Sequence, residues 1–380
     1  MDTHSRRSVL GWALYDFAES AFATSILVAI LPVYYLTIAP KGDFVISLGP
    51  FHVTTAASSV WAYTISFSTM LIAFPSPVLG ALADVGGRRK LFLAVFGYTG
   101  ALFSGLLVFV GTGDYFLASA LFCVANIGSV GSTVYYNALL VDVAPPGKMD
   151  MVSGKGFAWG YLGGGTVFVI NLLMIANPGW FGIPSQEWGI RISFLVVGVW
   201  WAVFTIPTML WVRERPRAEE KPLGGVVKAA FRNTWSTLRR LTHYRDLARY
   251  LLAFLVFNDG IQTVIVMAVP YGKETLGLDT TTLMGTLVLI QAIGIPGSLM
   301  FGWIAEKLGA KQGLLISLAI WCCVVFLAWR MTSAAEFWVL GALVGLVLGG
   351  SQAISRSLYG SMVPASQAAE FYGFLAVSSR

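Results

Sequence analysis

The sequence predicts an all-α membrane protein built from two homologous helical halves, and three observations predict it. Of 380 residues, 56% are hydrophobic and only 12% are charged, where a soluble domain carries roughly a quarter charged residues. Ten stretches reach the roughly 20 apolar residues that a helix needs to cross a bilayer core. A short motif of glycine and charged residues also recurs about 220 residues downstream with its order kept, the mark of a duplication.

The first span, near 11–36, is apolar or small-residued except for Asp16 and Glu19, which are three apart and so share a helical face. The second, near 58–82, holds Pro75 and Pro77, able to break or bend it. Spans three and four lie near 91–111 and 115–141. Span five, near 156–176, carries glycines at 156, 160 and 164, and span six lies near 190–212. Span seven, near 248–270, opens the second half, followed by span eight near 282–304 with Pro296. Spans nine and ten lie near 312–332 and 336–359, the last with glycines at 341, 345 and 349. Small residues every four positions suit close helix packing, with a hinge as the alternative. Residues 1–212 thus form one six-helix half, 213–247 a linker, and 248–380 a second half with four helices.

Charge placement orients the chain. With the N-terminus cytoplasmic, only Lys41, Arg191, Lys273 and Arg330 of the 25 Lys and Arg fall outside. The rest lie inside, ten of them between Arg213 and Arg249, as the positive-inside rule requires. The net charge of +6 is therefore a topology signal and does not point to nucleic acid. In the linker, Val227, Phe231, Trp235, Leu238 and Leu241 recur at helical spacing, with Lys228, Arg232, Arg239 and Arg240 on other faces. That pattern fits an amphipathic helix at the headgroup level; a flexible charged tether is the alternative. Cys123, Cys322 and Cys323 sit in apolar runs, and His4, His52 and His243 in loops or at the terminus, so neither a disulfide framework nor a metal site is indicated. No cofactor is expected.

The repeat is specific. "GALADVGGRRK" (80–90) matches "GWIAEKLGAKQ" (302–312), aligning Gly80, Asp84 and Gly87 with Gly302, Glu306 and Gly309. "GSTVYYNALLVDVAPP" (131–146) matches "GSQAISRSLYGSMVPA" (350–365), which pairs Asn137 with Arg356. In the first span of each half, Asp16 aligns with Asp259 and Glu19 with Gln262. By this repeat the ending "AEFYGFLAVSSR" is the entrance to an eleventh span, so the sequence looks truncated before helices 11 and 12.

Six-plus-six organisation with "G-x-x-x-D-x-x-G-R-R-K" between spans 2 and 3 resembles the major facilitator superfamily. "WALYDFAESAFATSI", "NDGIQTVIVMAVPYG" and "GGSQAISRSLYGSMVP" further resemble the vacuole-effluxer-like family, from about Gly11 to Ser378. That family's yeast member exports amino acids during autophagy, and many members are bacterial. The compact loops look bacterial, which implies the cell (inner) membrane. The resemblance implies a monomeric secondary transporter in a lipid bilayer. Its halves would rock around a midplane site, moving a small solute, an amino acid by best analogy, with protons. The family's first motif usually has Asn where this chain has Glu19, and the family has twelve helices.

In such a protein Asp16 and Asp259 would line the central cavity. A carboxyl that alternates between dry and wet surroundings can carry a proton; a cap or a hydrogen bond to a neighbouring helix, and exposure to water near the cytoplasmic mouth, are the other roles that fit. Glu19 and Gln262, one turn deeper, can orient a solute. Asn258, Asn137, Tyr135, Tyr136, Gln291, Gln352 and Arg356 are further binding candidates. Arg356 could hold a carboxylate bidentately, or else snorkel to the headgroups. By resemblance, Gly80, Asp84, Gly87, Arg88 and Arg89 form a gate. Asp142 is a plausible ion partner for Arg88 or Arg89, and the start of helix 11 is the expected seat of Asp84. An intramembrane enzyme would need a concentrated acid–base or metal cluster, and the acidic residues are single. An uncoupled facilitator, or a receptor that does not transport, are the remaining alternatives.

Overall fold

The computed structural model describes residues 5–42, 44–48, 51–214, 223–240 and 245–378. The expected Leu241, and the side chains of Leu238 and Arg240, lie outside what is described.

Among the described residues, ten helical segments are long and apolar enough to cross a membrane. The first comprises α1 (Arg6–Ala21), a π-helical stretch (Phe22–Ala29) and α2 (Ile30–Ile38). A short antiparallel hairpin, β1 (Phe44–Leu48) and β2 (Phe51–Thr55), follows where the sequence had suggested only a loop. The second segment is broken at Phe74–Pro75 into α3 (Ala57–Ala73) and α4 (Ser76–Gly86), as its prolines required. Next come α5 (Arg89–Leu106), α6 (Tyr115–Val143), α7 (Met149–Ala176) and α8 (Gln186–Trp211). Beyond the linker helix α9 (Leu223–Arg240) lie α10 (Arg245–Glu274), α11 (Thr280–Leu308), α12 (Ala310–Arg330), α13 (Ala334–Met362) and α14 (Ala368–Ser378).

Side-chain caps start several of these helices, accepting the orphan N–H groups of the first turn. Ser5 caps α1 (3.2 Å from Ser8 N) and Asp279 caps α11 (3.2 Å from Thr282 N), while Ser333 and Glu336 form a reciprocal capping box on α13. Several helices run past their apolar cores, α7 beginning at Met149 rather than near 156. Polar first turns can extend into the headgroup layer, where hydropathy no longer marks them.

The linker helix presents Val227, Phe231 and Trp235 outward, with Ala229, Ala230 and Thr237 buried. It packs along α4, Thr234 reaching the Pro77 carbonyl at 3.5 Å.

Two hydrophobic cores show how the halves are joined. One draws buried residues from both halves, including Trp12, Tyr136, Phe301, Tyr359 and Tyr372, and runs on through the second half to Met331 and Phe337. The buried members of the other, among them Phe22, Trp61, Phe122, Phe194 and Trp201, all come from the first half. The glycines read as packing positions sit at close contacts. An added Cβ at Gly160 would lie 2.7 Å from Ser20 Oγ on α1, and one at Gly345 would lie 3.0 Å from the Ile290 carbonyl on α11.

Candidate functional site

Between the halves lies a cavity of about 480 Å³. Its walls are α1 with the π-helical stretch, α6, α7, α10, α11, α13 and α14. Nine of the sequence-derived residues line it: Asp16, Glu19, Tyr136, Asn137, Asn258, Gln262, Gln291, Gln352 and Arg356.

The inner floor is built around Arg356. Its side chain is only 6% exposed and does not snorkel, correcting that alternative. Nε donates to Ser153 Oγ (2.9 Å), Nη2 to the Ser153 carbonyl (2.8 Å), and Nη1 to Asn137 Oδ1 (3.4 Å) and Asp16 Oδ2 (3.5 Å). The guanidinium also lies over the rings of Phe157 (4.3 Å), Trp12 (4.9 Å) and Tyr136 (5.2 Å). A cation at this depth is tolerable because donors and π faces both find partners. Trp12 stacks on Tyr136 (4.5 Å, 11°) and donates from Nε1 to the Tyr136 carbonyl at 2.8 Å. Tyr136 in turn donates its hydroxyl to Asp16 Oδ2 at 2.9 Å, and Ser20 donates to Oδ1 at 3.4 Å. Asp16 and Arg356 thus form an ion pair from one half to the other, with the long axis of the cavity above it.

Asn137 and Arg356 are symmetry mates in the repeat, yet they touch. The long arginine side chain reaches Asn137 Oδ1 at 3.4 Å, so the two matched positions meet at the floor of the cavity. From there the lining runs along Ser20, Thr24 and Val28 on one side and along Gln352, Leu348 and Phe337 on the other, toward the end without basic loops.

Asp259 departs from expectation. It is exposed on α10 and does not line the cavity, which α10 meets with Phe254, Asn258, Ile261 and Gln262. A helix turns about 100° per residue, so the mate of Asp16 by alignment is displaced from it in space, and Asn258 takes the facing position. Tyr135 is likewise turned away, packed on Phe92 and Phe96 at 5.3 and 5.9 Å. Residues that the sequence reading missed are Trp12, Ser20, Thr24, Ser153 and Tyr372. Gln291 donates to Thr24 Oγ1 across the halves at 2.7 Å, and Tyr372 donates to the Arg356 carbonyl at 2.8 Å. Ser20 and Thr24 follow Asp16 at helical spacing, a signal that was available; Ser153 and Tyr372 gave none.

The basic-loop end is shut by a second buried cluster. Arg89 donates from Nε to Asp84, from Nη1 to Asp142 and from Nη2 to the Ala365 carbonyl, each at 2.7 Å. Asp84 also accepts the Glu370 N–H at 2.9 Å, at the start of α14, where the helix dipole favours a carboxylate. Arg89, Asp84 and Asp142 are each 3% exposed. Arg88 is exposed, so of the two arginines only Arg89 joins the cluster. Gly87 ends α4 at φ 60°, a left-handed turn open to glycine at little cost. Gly80 lies against the backbone of Ala369 and Glu370. The repeat places a counterpart across the molecule: Glu306, the mate of Asp84, pairs with Lys148 at the start of α7. Beside the main cluster, Glu214 accepts the Lys90 N–H, and burial raises its carboxyl pKa above the ordinary value.

The comparisons agree with this architecture. A profile of the family described as "Vacuole effluxer Atg22 like" matches residues 4–148 and 141–380. The MFS-type transporter YxiO of Bacillus subtilis (strain 168) is 33% identical over 365 residues, covering 96% of this chain and 82% of its own length. Autophagy-related protein 22 of Pyricularia oryzae is 24% identical, over 99% of this chain and 70% of its own. Among solved structures, the proton:xylose symporter XylE superposes with a TM-score of 0.65 at 14% identity, over 99% of this chain and 85% of its own. A bacterial homologue of the iron transporter ferroportin, in its outward-facing state, gives 0.65 at 13% identity over 100% and 89%. These two likenesses speak to the fold alone. With the repeat, the cavity between the halves and the closed basic end in place, the chain belongs to the vacuole effluxer Atg22-like family of multi-pass, major-facilitator-type membrane transporters.

Proposed function

We propose that the protein is a proton-coupled secondary transporter of amino acids, working by alternating access as a monomer in the cell (inner) membrane with its N-terminus cytoplasmic. The observation that carries this reading is the Asp16–Arg356 pair on the cavity floor, 3.5 Å apart. A carboxylate and a guanidinium side by side match the ammonium and carboxylate of a zwitterion. The separation is loose enough for a substrate to take over both charges. Asn137, Tyr136, Gln352 and Asn258 supply further hydrogen-bonding groups around it. Asp16 is the proposed proton carrier. It is held by Tyr136, Ser20 and Arg356, so substrate that draws Arg356 away changes the balance holding its charge. Asp259, outside the cavity, has no part in this proposal.

The contacts that close the basic-loop end support alternating access. The closed state joins the halves through Arg89 donating to the Ala365 carbonyl, the Glu370 N–H donating to Asp84, and the Lys148–Glu306 pair. Separating these while the opposite ends approach would expose the same floor to the basic side.

The test is uptake of labelled amino acids into liposomes under an imposed proton gradient, with Asp16→Asn compared after its fold is checked by melting. Wild type should accumulate one amino-acid class and the variant should not. Accumulation by the variant at the wild-type level would end the coupling role. Wild-type equilibration without accumulation would show an uncoupled facilitator, and binding without flux a receptor.

A further inference from the structure

Glu370, in the first turn of α14, is an acid buried to 1% exposure away from the cavity. Its N–H donates to Asp84 at 2.9 Å, which fixes the start of α14 against α4. Its carboxyl meets the linker helix, where the buried Thr237 hydroxyl faces it. Among the described residues, its Oε1 is buried and has no hydrogen-bond partner. Arg89 aims its donors at Asp84, Asp142 and the Ala365 carbonyl rather than at Glu370.

The charged and titratable groups around it come from several elements. α4 brings Asp84, and α6 brings Asp142 on Arg89 and Tyr135 near Asp84. α13 brings the Tyr359 phenol, with the rings of Tyr250 on α10 and Tyr372 on α14 beside it. Tyr63 on α3 is exposed, as are Lys228, Arg232 and Arg239 on the linker helix. An ionised carboxyl with an unpaired oxygen is costly where water cannot reach it, and such an acid holds a proton instead. Gly80 of α4 lies against the backbone of Ala369 and Glu370. The surfaces that bury this carboxyl are therefore the ones that close the basic-loop end.

We infer that Glu370 is a second proton site, loaded while the basic-loop end is closed and emptied into water when that end opens. This rests on the proposed alternating access, and on neither the amino-acid substrate nor Asp16. The closed state binds a proton that the open state releases, so acid favours closure and rising pH favours opening. The dependence begins above about pH 4.3, where a wetted glutamate ionises, and runs at up to about tenfold per pH unit.

The experiment is pulsed electron resonance on the full chain in detergent, from pH 5 to pH 8. Spin labels stand at Arg88→Cys and Ser361→Cys, with Cys123, Cys322 and Cys323 replaced by serine. In the otherwise unchanged chain the open-to-closed ratio should rise by about tenfold or more across that range. Glu370→Gln, a neutral isostere, should hold the short separation throughout. A pH response that survives in folded Glu370→Gln overturns the inference. Should that variant fail to fold, Thr237→Val decides: losing the hydroxyl that faces the carboxyl should move the transition to higher pH, and an unmoved transition overturns the inference. If the chain ignores pH, Gly80→Ala separates the causes. Opening in Gly80→Ala without a pH response ends this inference alone, and no opening in Gly80→Ala ends alternating access with it.

Discussion

Replacing Gly80 with alanine adds one methyl group to α4 at the point where it meets the entrance of α14. The new carbon would fall within contact of the Ala369 carbonyl and 2.7 Å from the Glu370 nitrogen. Ordinary carbon contacts need about 3.5–4.0 Å. All three nearest atoms belong to the backbone, so no rotamer change relieves the overlap, and α14 must move away by roughly an ångström. Overpacking of this kind costs about 1–3 kcal/mol. In the proposed alternating access the cost falls only on the state closed at the basic-loop end, because α4 and α14 would separate when that end opened. The equilibrium should therefore shift toward the basic-side-open state by roughly 5- to 150-fold. Spin labels at Arg88→Cys and Ser361→Cys, with Cys123, Cys322 and Cys323 replaced by serine, would report that end by pulsed electron resonance. Gly80→Ala should move the distance distribution to longer separations. Gly179→Ala, with nothing within 4 Å of its added carbon, should leave it in place. An unchanged distribution in Gly80→Ala would refute the claim that this contact closes the gate.

Two further perturbations probe charged groups. Asp142→Asn removes one partner of buried Arg89 and should destabilise the detergent-solubilised protein by about 3–5 kcal/mol. Arg88→Gln, an exposed change, should cost below about 0.5 kcal/mol; equal losses in melting experiments would contradict the assignment of Arg89. Hydrogen bonds from the Thr282 hydroxyl and N–H hold the Asp279 carboxyl below its ordinary pKa at the start of α11. The folded state therefore binds that proton less readily than the unfolded chain, and the stabilisation is present above the unfolded pKa and lost as pH falls through the folded one. Asp279→Ala should lower the melting temperature at pH 7, with the gap to wild type narrowing below about pH 4. A gap that widened with acid would reverse the sign.

Much of this architecture could be read from residue spacing because membrane helices announce themselves by length and composition. The duplication then set which spans correspond. Gly80 and Asp84 were legible because a close approach and a helix N-terminus each demand one kind of residue. What spacing could not supply was rotational phase. Arg88 and Arg89 are adjacent and chemically identical, yet only one points inward, and the choice depends on how α5 leaves the turn at Gly87. Asp259 failed for the same reason: alignment matches positions in a chain, while lining a cavity depends on the azimuth of α10. The wider π-helical turn between α1 and α2 likewise sets the phase of everything after it, Thr24 included, and no residue type marks it. The seating of Arg356 on Ser153 was beyond reach because it joins positions 203 apart.

The contact between Asn137 and Arg356 has a historical consequence. If the chain descends from a pair of identical halves, any residue beside the axis once faced its own copy. Two asparagines meeting there can exchange hydrogen bonds; two guanidiniums would place like charges together in a medium that screens them poorly. A single chain that carries both halves leaves the two positions free to differ, and here one is asparagine and the other arginine. The cavity floor thus has a left and a right that a strictly two-fold pore would lack, Asn137 on one side and Arg356 on the other.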